Sequence, residues 1–225
     1  LLSEERNYIL TFNFKQYNMQ VLKFGGSSVA NAENINKVIG IIKSNTSSSK
    51  KIIVVSALGG ITDLLLKTAA LAEANDECYK DILLEIENKH LDAVKELIPV
   101  QQQSAVLSLV KKICNEAEDI CNGIFLLGEL SARTKDKIVS YGELLSSQII
   151  AAKLNAASLH VEWKDSRELI ITDSNFGMAA VDFNLTDKKV MDYFSSSAAA
   201  LFILPGFIAA DKNNVTTTLG RGGSD

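Results

Sequence analysis

Two stretches of this chain repeat one design. QVLKF (residues 20–24) runs into Gly25-Gly26-Ser27-Ser28 and then a helical pattern, and IIVV (52–55) runs into Ser56-Ala57-Leu58-Gly59-Gly60 and another. Strand, glycine turn, helix, twice over, is the grammar of a parallel sheet covered by helices, since parallel strands need a crossover connection between them. The continuous β-branched run at 52–55 suits a strand buried on both faces. Beyond the first turn, Val29, Ile35, Val38, Ile39 and Ile42 recur at helical spacing, with Ser27 or Ser28 available as the cap. Thr62-Asp63 opens the second helix, expected to run to about Ala74. The expected fold class is α/β, a three-layer αβα arrangement with a mostly parallel central sheet.

From residue 77 to 152 the pattern turns purely helical, with spans expected at 77–97, 102–123 and 133–154 and breaks near Pro99 and Gly128. Such a block either caps a substrate site or serves as scaffold. Strand signals return at 158–161, 169–172 and 201–204, the last after a helix over 186–199. A hairpin across residues 211–214 joins 206–208 to 215–219. Residues 1–18 match nothing in this pattern and read as an upstream extension or disordered arm before Met19. The chain stops at Asp225 directly after a glycine-rich turn, so it reads as a fragment at both ends, with 19–225 as one part of a larger domain.

Composition removes several function classes. With 47% hydrophobic and 22% charged residues the 225-residue chain is too apolar for disorder, and no run approaches the ~18 apolar residues of a membrane span. Lys and Arg total 23 against 27 acids, a net charge of −4, which leaves no cation excess to neutralise nucleic-acid phosphates. Cys78, Cys114 and Cys121 show no C-x-x-C spacing and read as buried thiols in a reducing, cytoplasmic setting. With only His90 and His160, neither a zinc site nor a His-based triad is expected. No resident metal is expected.

Four constellations remain. Lys23 at a strand end, followed by Phe24, Gly25, Gly26 and Ser27, suits an anion at a helix N-terminus, or is an ordinary tight turn with a solvated lysine. It is not a Walker A loop, because the lysine precedes the glycines. The turn from Ser56 to Asp63 repeats this geometry beside it, and Thr62 is either a cap or a hydroxyl facing ligand. Glu143 sits on a mostly apolar helix and is either solvated or in need of a partner. Last, TTTLGRGGSD (216–225) holds an arginine fork between glycines, with backbone free to approach a carboxylate or phosphate.

VLKFGGSSV (21–29), IVVSALGGITDLL (53–65), VSYGELLS (139–146), PGFI (205–208) and TLGRGGSD (217–225) together resemble the aspartokinases of the amino acid kinase superfamily. The match is most similar to the kinase half of bifunctional aspartokinase/homoserine dehydrogenases. Two departures are Asn213-Asn214-Val215, where the family hairpin often carries Gly, and Ser27, where Thr is common.

The resemblance implies an amino acid kinase-like (carbamate kinase-like) fold truncated after its substrate-binding part, and transfer of the ATP γ-phosphoryl group to the β-carboxylate of L-aspartate. That reaction is the first step of the aspartate-derived pathway to lysine, threonine and methionine. It implies ATP phosphates at Lys23, Phe24, Gly25, Gly26 and Ser27, with Mg²⁺ carried by ATP. Ser56 and Thr62 would lie along the substrate, Glu143 would hold its ammonium, and Phe207 would wall the pocket. Arg221, with Gly222, Gly223 and Ser224, would clamp a carboxylate, and Asp225 would organise catalytic Lys23. A homo-oligomer is implied for the full-length protein, and this stretch alone is expected to be inactive without the nucleotide-binding half. The alternatives are another acceptor (glutamate, uridylate, carbamate) or a binding-only module.

Overall fold

The computed structural model describes residues 9–14, 17–45 and 50–220. Five strands form the central sheet in the order β1-β2-β3-β6-β4: β1 (Ile9–Phe14), β2 (Tyr17–Phe24), β3 (Lys50–Val55), β6 (Leu201–Pro205) and β4 (Glu162–Trp163). β2, β3, β6 and β4 run parallel, while β1 lies antiparallel on the β2 edge, from Ile9 opposite Leu22 to Phe14 opposite Tyr17. A second sheet is built from β5 (Ile171–Thr172), β7 (Ile208–Asp211) and β8 (Thr216–Thr218). The fold is the expected α/β class with a mostly parallel central sheet.

Residue chemistry explains the layers. On one face Leu22, Phe24, Ile53, Val55 and Ile203 pack in one core with α1 (Ala32–Ser44), α2 (Ile61–Glu73) and α5 (Ala132–Ala156). On the other, Ile52, Phe202 and Leu204 meet Phe194 of α6 (Phe183–Ser196), with Phe194 and Phe202 edge to face at 4.9 Å. Alternate residues of β3 thus feed opposite cores, as period 2 requires. Lys50 Nζ donates to the Phe194 and Ser197 carbonyls at the C-terminal end of α6, a favourable end for a cation. α3 (Tyr79–Leu97) and α4 (Gln103–Leu127) pack outside, against α2 and α5. No described helix is long and apolar enough to cross a membrane.

Several expected boundaries move, for local reasons. α1 is capped by Asn31, whose side chain accepts from the Asn34 N–H at 2.9 Å, and not by Ser27 or Ser28, which lie in the preceding turn. Gly60 in the left-handed region (φ +77°) starts α2, so Thr62 is not its cap. The strand expected at 158–161 forms instead at Glu162–Trp163, after a turn in which Ser158 and His160 adopt positive φ. α6 begins three residues earlier than expected, where Asp182 accepts from the Leu185 N–H. β2 begins before residue 20, and β1 places a strand inside the stretch set apart as an arm. Cys114 and Cys121 are buried and free, their thiols pushed up to about 12 by burial, whereas Cys78 is exposed, contrary to expectation.

Candidate active site

Three parallel strands end side by side at Phe24, Val55 and Pro205, and each leads into glycine: Gly25-Gly26, Gly59-Gly60 and Gly206. A cavity of about 750 Å³ opens at these carboxyl ends, the usual place for ligand in an open α/β sheet. Close approach explains two of the glycines. A Cβ on Gly59 would sit 2.9 Å from the Ala30 Cβ, locking the two turns together, and the Gly59 N–H donates to the Ala30 carbonyl at 3.3 Å. A Cβ on Gly206 would come within 3.3 Å of the Val55 carbonyl oxygen. The Lys89 ammonium of α3 donates to the Gly59 carbonyl, bracing the second turn from outside.

Lys23 stands opposite Val54 in the sheet and lines the cavity, its ammonium drawn below the usual lysine range by burial. Thr62, in the first turn of α2, lines it too. Phe207, in the left-handed region at φ +62°, closes the side where β6 passes into β7.

α5 supplies the opposite wall. Ala132, Asp136, Val139 and Glu143 line the cavity at helical spacing, one stripe of one helix. Gly142 lets this helix in: a Cβ there would lie 2.9 Å from the Ala57 Cβ and 3.2 Å from Ile61 Cγ2. Ser146 Oγ donates to the Ser56 carbonyl at 2.6 Å and ties the helix to the end of β3. Glu143 is only 2% exposed, so it is no solvated surface acid. Its Oε2 has no hydrogen-bond partner among the described residues. Burial pushes the carboxyl up to about 8, against the pull of the backbone N–H groups of Glu143 and Ala57. A buried carboxyl in a cavity wall with one oxygen left without a donor suits a cation or donor brought by ligand.

Lys23, Phe24, Gly25, Gly26, Ser27, Ser56, Thr62, Glu143 and Phe207 all line this one cavity. Arg221, Gly222, Gly223, Ser224 and Asp225 lie outside the described residues. The helical block divides its labour: α5 faces the cavity, while among the described residues none of α3 or α4 lines it. Sequence reasoning missed Asp136, Phe176 and Gly177, which also line it. Asp136 was within reach, since it sits seven residues before Glu143 on the same helix stripe. Phe176 and Gly177 carried no local signal, because they arrive from the β5–α6 connection. Among the described residues no group of three or more His, Cys, Asp or Glu is placed to hold a metal ion.

A model of the amino acid kinase family matches residues 18–225. The chain is 29% identical over 225 residues to the bifunctional aspartokinase/homoserine dehydrogenase 2, chloroplastic, of Zea mays, covering 100% of this chain and 24% of that protein. It is 34% identical over 214 residues to aspartokinase 1, chloroplastic, of Arabidopsis thaliana, covering 91% and 36%. The solved structure of E. coli aspartokinase III in complex with lysine and aspartate has a TM-score of 0.81 at 29% identity, covering 91% of this chain and 44% of that one. The chain thus spans between about a quarter and under half of the length of these relatives.

Proposed function

The chain belongs to the amino acid kinase family, and we propose that it forms the amino-acid-binding part of an aspartokinase. The reaction is attack of an L-aspartate β-carboxylate oxygen on the γ-phosphorus of ATP, with ADP leaving and 4-phospho-L-aspartate formed. The observation that carries this reading is the buried Glu143 carboxyl, whose Oε2 has no hydrogen-bond partner among the described residues, in one cavity with Lys23 and the glycine turn. An acceptor substrate bearing an ammonium satisfies the one, and a phosphoryl group suits the other. A carboxylate nucleophile needs no general base, in keeping with a cavity wall that holds neither histidine. Catalysis then rests on positioning and charge neutralisation.

Under this reading Lys23 and the N–H groups of Gly25 and Gly26 meet the phosphates, and open space around Gly25 leaves room for close approach. Ser56 and Thr62 lie along the substrate, and Phe207 walls it. Arg221 with Gly222, Gly223 and Ser224 completes the carboxylate clamp, and Asp225 orients Lys23. Mg²⁺ belongs to the reading as the partner of the ATP phosphates. A place at the head of the aspartate-derived amino acid pathway, a cytoplasmic setting and a homo-oligomeric full-length protein belong to the same proposal.

The test is calorimetry with L-aspartate, L-glutamate, uridylate and MgATP in separate titrations. Saturable binding of L-aspartate in preference to the other acceptors supports the reading, and binding of uridylate alone overturns it. Lys23→Ala should leave aspartate affinity within about threefold, whereas Glu143→Gln should weaken it by ~1–3 kcal/mol through loss of the buried charge partner.

A further inference from the structure

Asp136 is a second acid on the cavity stripe of α5, 2% exposed. Where Glu143 has an oxygen without a donor among the described residues, Asp136 accepts from three donors. Its Oδ2 accepts the Gly177 N–H and the Thr218 N–H, each at 2.9 Å, and its Oδ1 accepts the Thr218 hydroxyl at 2.8 Å. These donors come from two different segments, the loop after β5 and the last residue of β8. Neither is near α5 in sequence.

Other bonds converge on the same point. The Ala179 N–H donates to the Thr218 carbonyl at 3.1 Å, and the Leu219 N–H donates to the Phe207 carbonyl at 2.9 Å. Gly177 takes φ +87°, which turns its N–H toward the carboxylate at little steric cost. Phe176, Gly177, Phe207 and Thr218 all line the cavity. The loop, the hairpin and the cavity helix are therefore held in one register through a single side chain. A carboxylate is suited to this because it only accepts, and all three groups it meets donate.

We propose that Asp136 is a positioning residue of this site, holding the Phe176–Gly177 loop and the Thr218 end of β8 as part of the cavity wall that Glu143 shares, and thereby setting the affinity for the amino-acid substrate. The role rests on the reading of the cavity as an amino-acid acceptor site. Asp136 acts through the wall, its carboxylate accepting three bonds from the two segments it holds.

The test measures L-aspartate affinity by calorimetry beside the thermal midpoint for Asp136 variants. Asp136→Ala removes all three bonds and should weaken aspartate binding by about tenfold or more, because small misplacements of a binding wall are costly. Asp136→Asn can accept both N–H groups through its amide oxygen and donate Nδ2–H to the Thr218 oxygen, so affinity should return to within about threefold of the unaltered protein. A merely structural residue would lower the midpoint and leave the affinity of the folded protein unchanged. If Asp136→Ala does not fold, Asp136→Glu carries the same prediction of weakened binding, because it keeps the charge and displaces the wall by one methylene. Unchanged affinity in a folded Ala or Glu variant overturns the role, as does an Asn variant as impaired as Ala. If the unaltered protein binds no aspartate, the reading of the site falls and this role with it, an outcome distinct from the others.

Discussion

Buried Glu143 makes the stability of the fold depend on pH. Its folded carboxyl titrates at about 8, above the ordinary value of 4.5. As pH rises from 4.5 toward 8 the unfolded chain loses this proton and the folded protein keeps it, so stability falls across that window by roughly 3–5 kcal/mol. Glu143→Gln should flatten this part of the curve, gaining on the unaltered protein between pH 5 and 8 in denaturant titrations. Parallel curves would contradict the burial of an ionisable acid. His90 bends the other side. It is buried, its Nδ1 lies 2.7 Å from the Ile86 carbonyl, and its Nε2 has no partner among the described residues. Burial lowers its pKa from 6.5 to about 4. Below pH 6.5 the unfolded chain takes up a proton that the folded protein refuses, so roughly 3 kcal/mol of stability is lost as pH falls to 4. His90→Leu should remove this acid-side slope, and a slope unchanged by the substitution would show that other groups produce it.

Among the elements, α5 is the one whose placement makes the site, and its glycine shows how tight that placement is. Gly142→Ala adds a Cβ 2.9 Å from the Ala57 Cβ, and neither backbone has a flexible group to yield. Overpacking should outweigh the gain in helix propensity, for a net loss of ~1–3 kcal/mol and a lower Tm. The same substitution in α4 has the opposite sign. A Cβ on Gly123 meets nothing within 4 Å, so Gly123→Ala should stabilise by ~0.5–1 kcal/mol, a rise of ~2–4 °C per kcal/mol at this size. Equal effects at both positions would mean that α5 does not lie against the second glycine turn. The β7–β8 hairpin is the other element that had to be built accurately. Asp211 accepts from the Asn213 and Val215 N–H groups and from the Ser174 hydroxyl, and the Val215 bond foremost holds its carboxyl below the usual range. Asn214 takes φ +60°, a conformation Asn tolerates better than most residues. That is why Asn213-Asn214 can make this turn without a glycine.

For the molecule as a whole, the edge of the central sheet is a testable boundary. β1 pairs residue for residue with β2 along six positions, so deleting residues 1–16 leaves that edge unpaired. The expected result is a Tm several degrees lower or concentration-dependent association by light scattering. An unchanged Tm with no added association would return this stretch to the upstream arm that its sequence suggests. Much else was legible in advance. The glycine turns after two β-rich runs dictated a parallel sheet with a crevice at its carboxyl ends, and periodicity located α2 to α5 within a few residues, because both signals are local and repeat along the chain. Chemistry-bearing types such as Lys23 and Glu143 stood out against their apolar neighbours for the same reason. Other features depend on the closed fold. Whether Glu143 is solvated or buried, whether Thr62 caps a helix or faces the cavity, and what Asp136 holds are all settled by segments far apart in sequence. Gly177 and Thr218 lie 41 and 82 residues beyond Asp136. Hydrogen bonding and desolvation act through space, and no pattern along one segment encodes which distant donors will reach it once the sheet, the hairpin and α5 have packed.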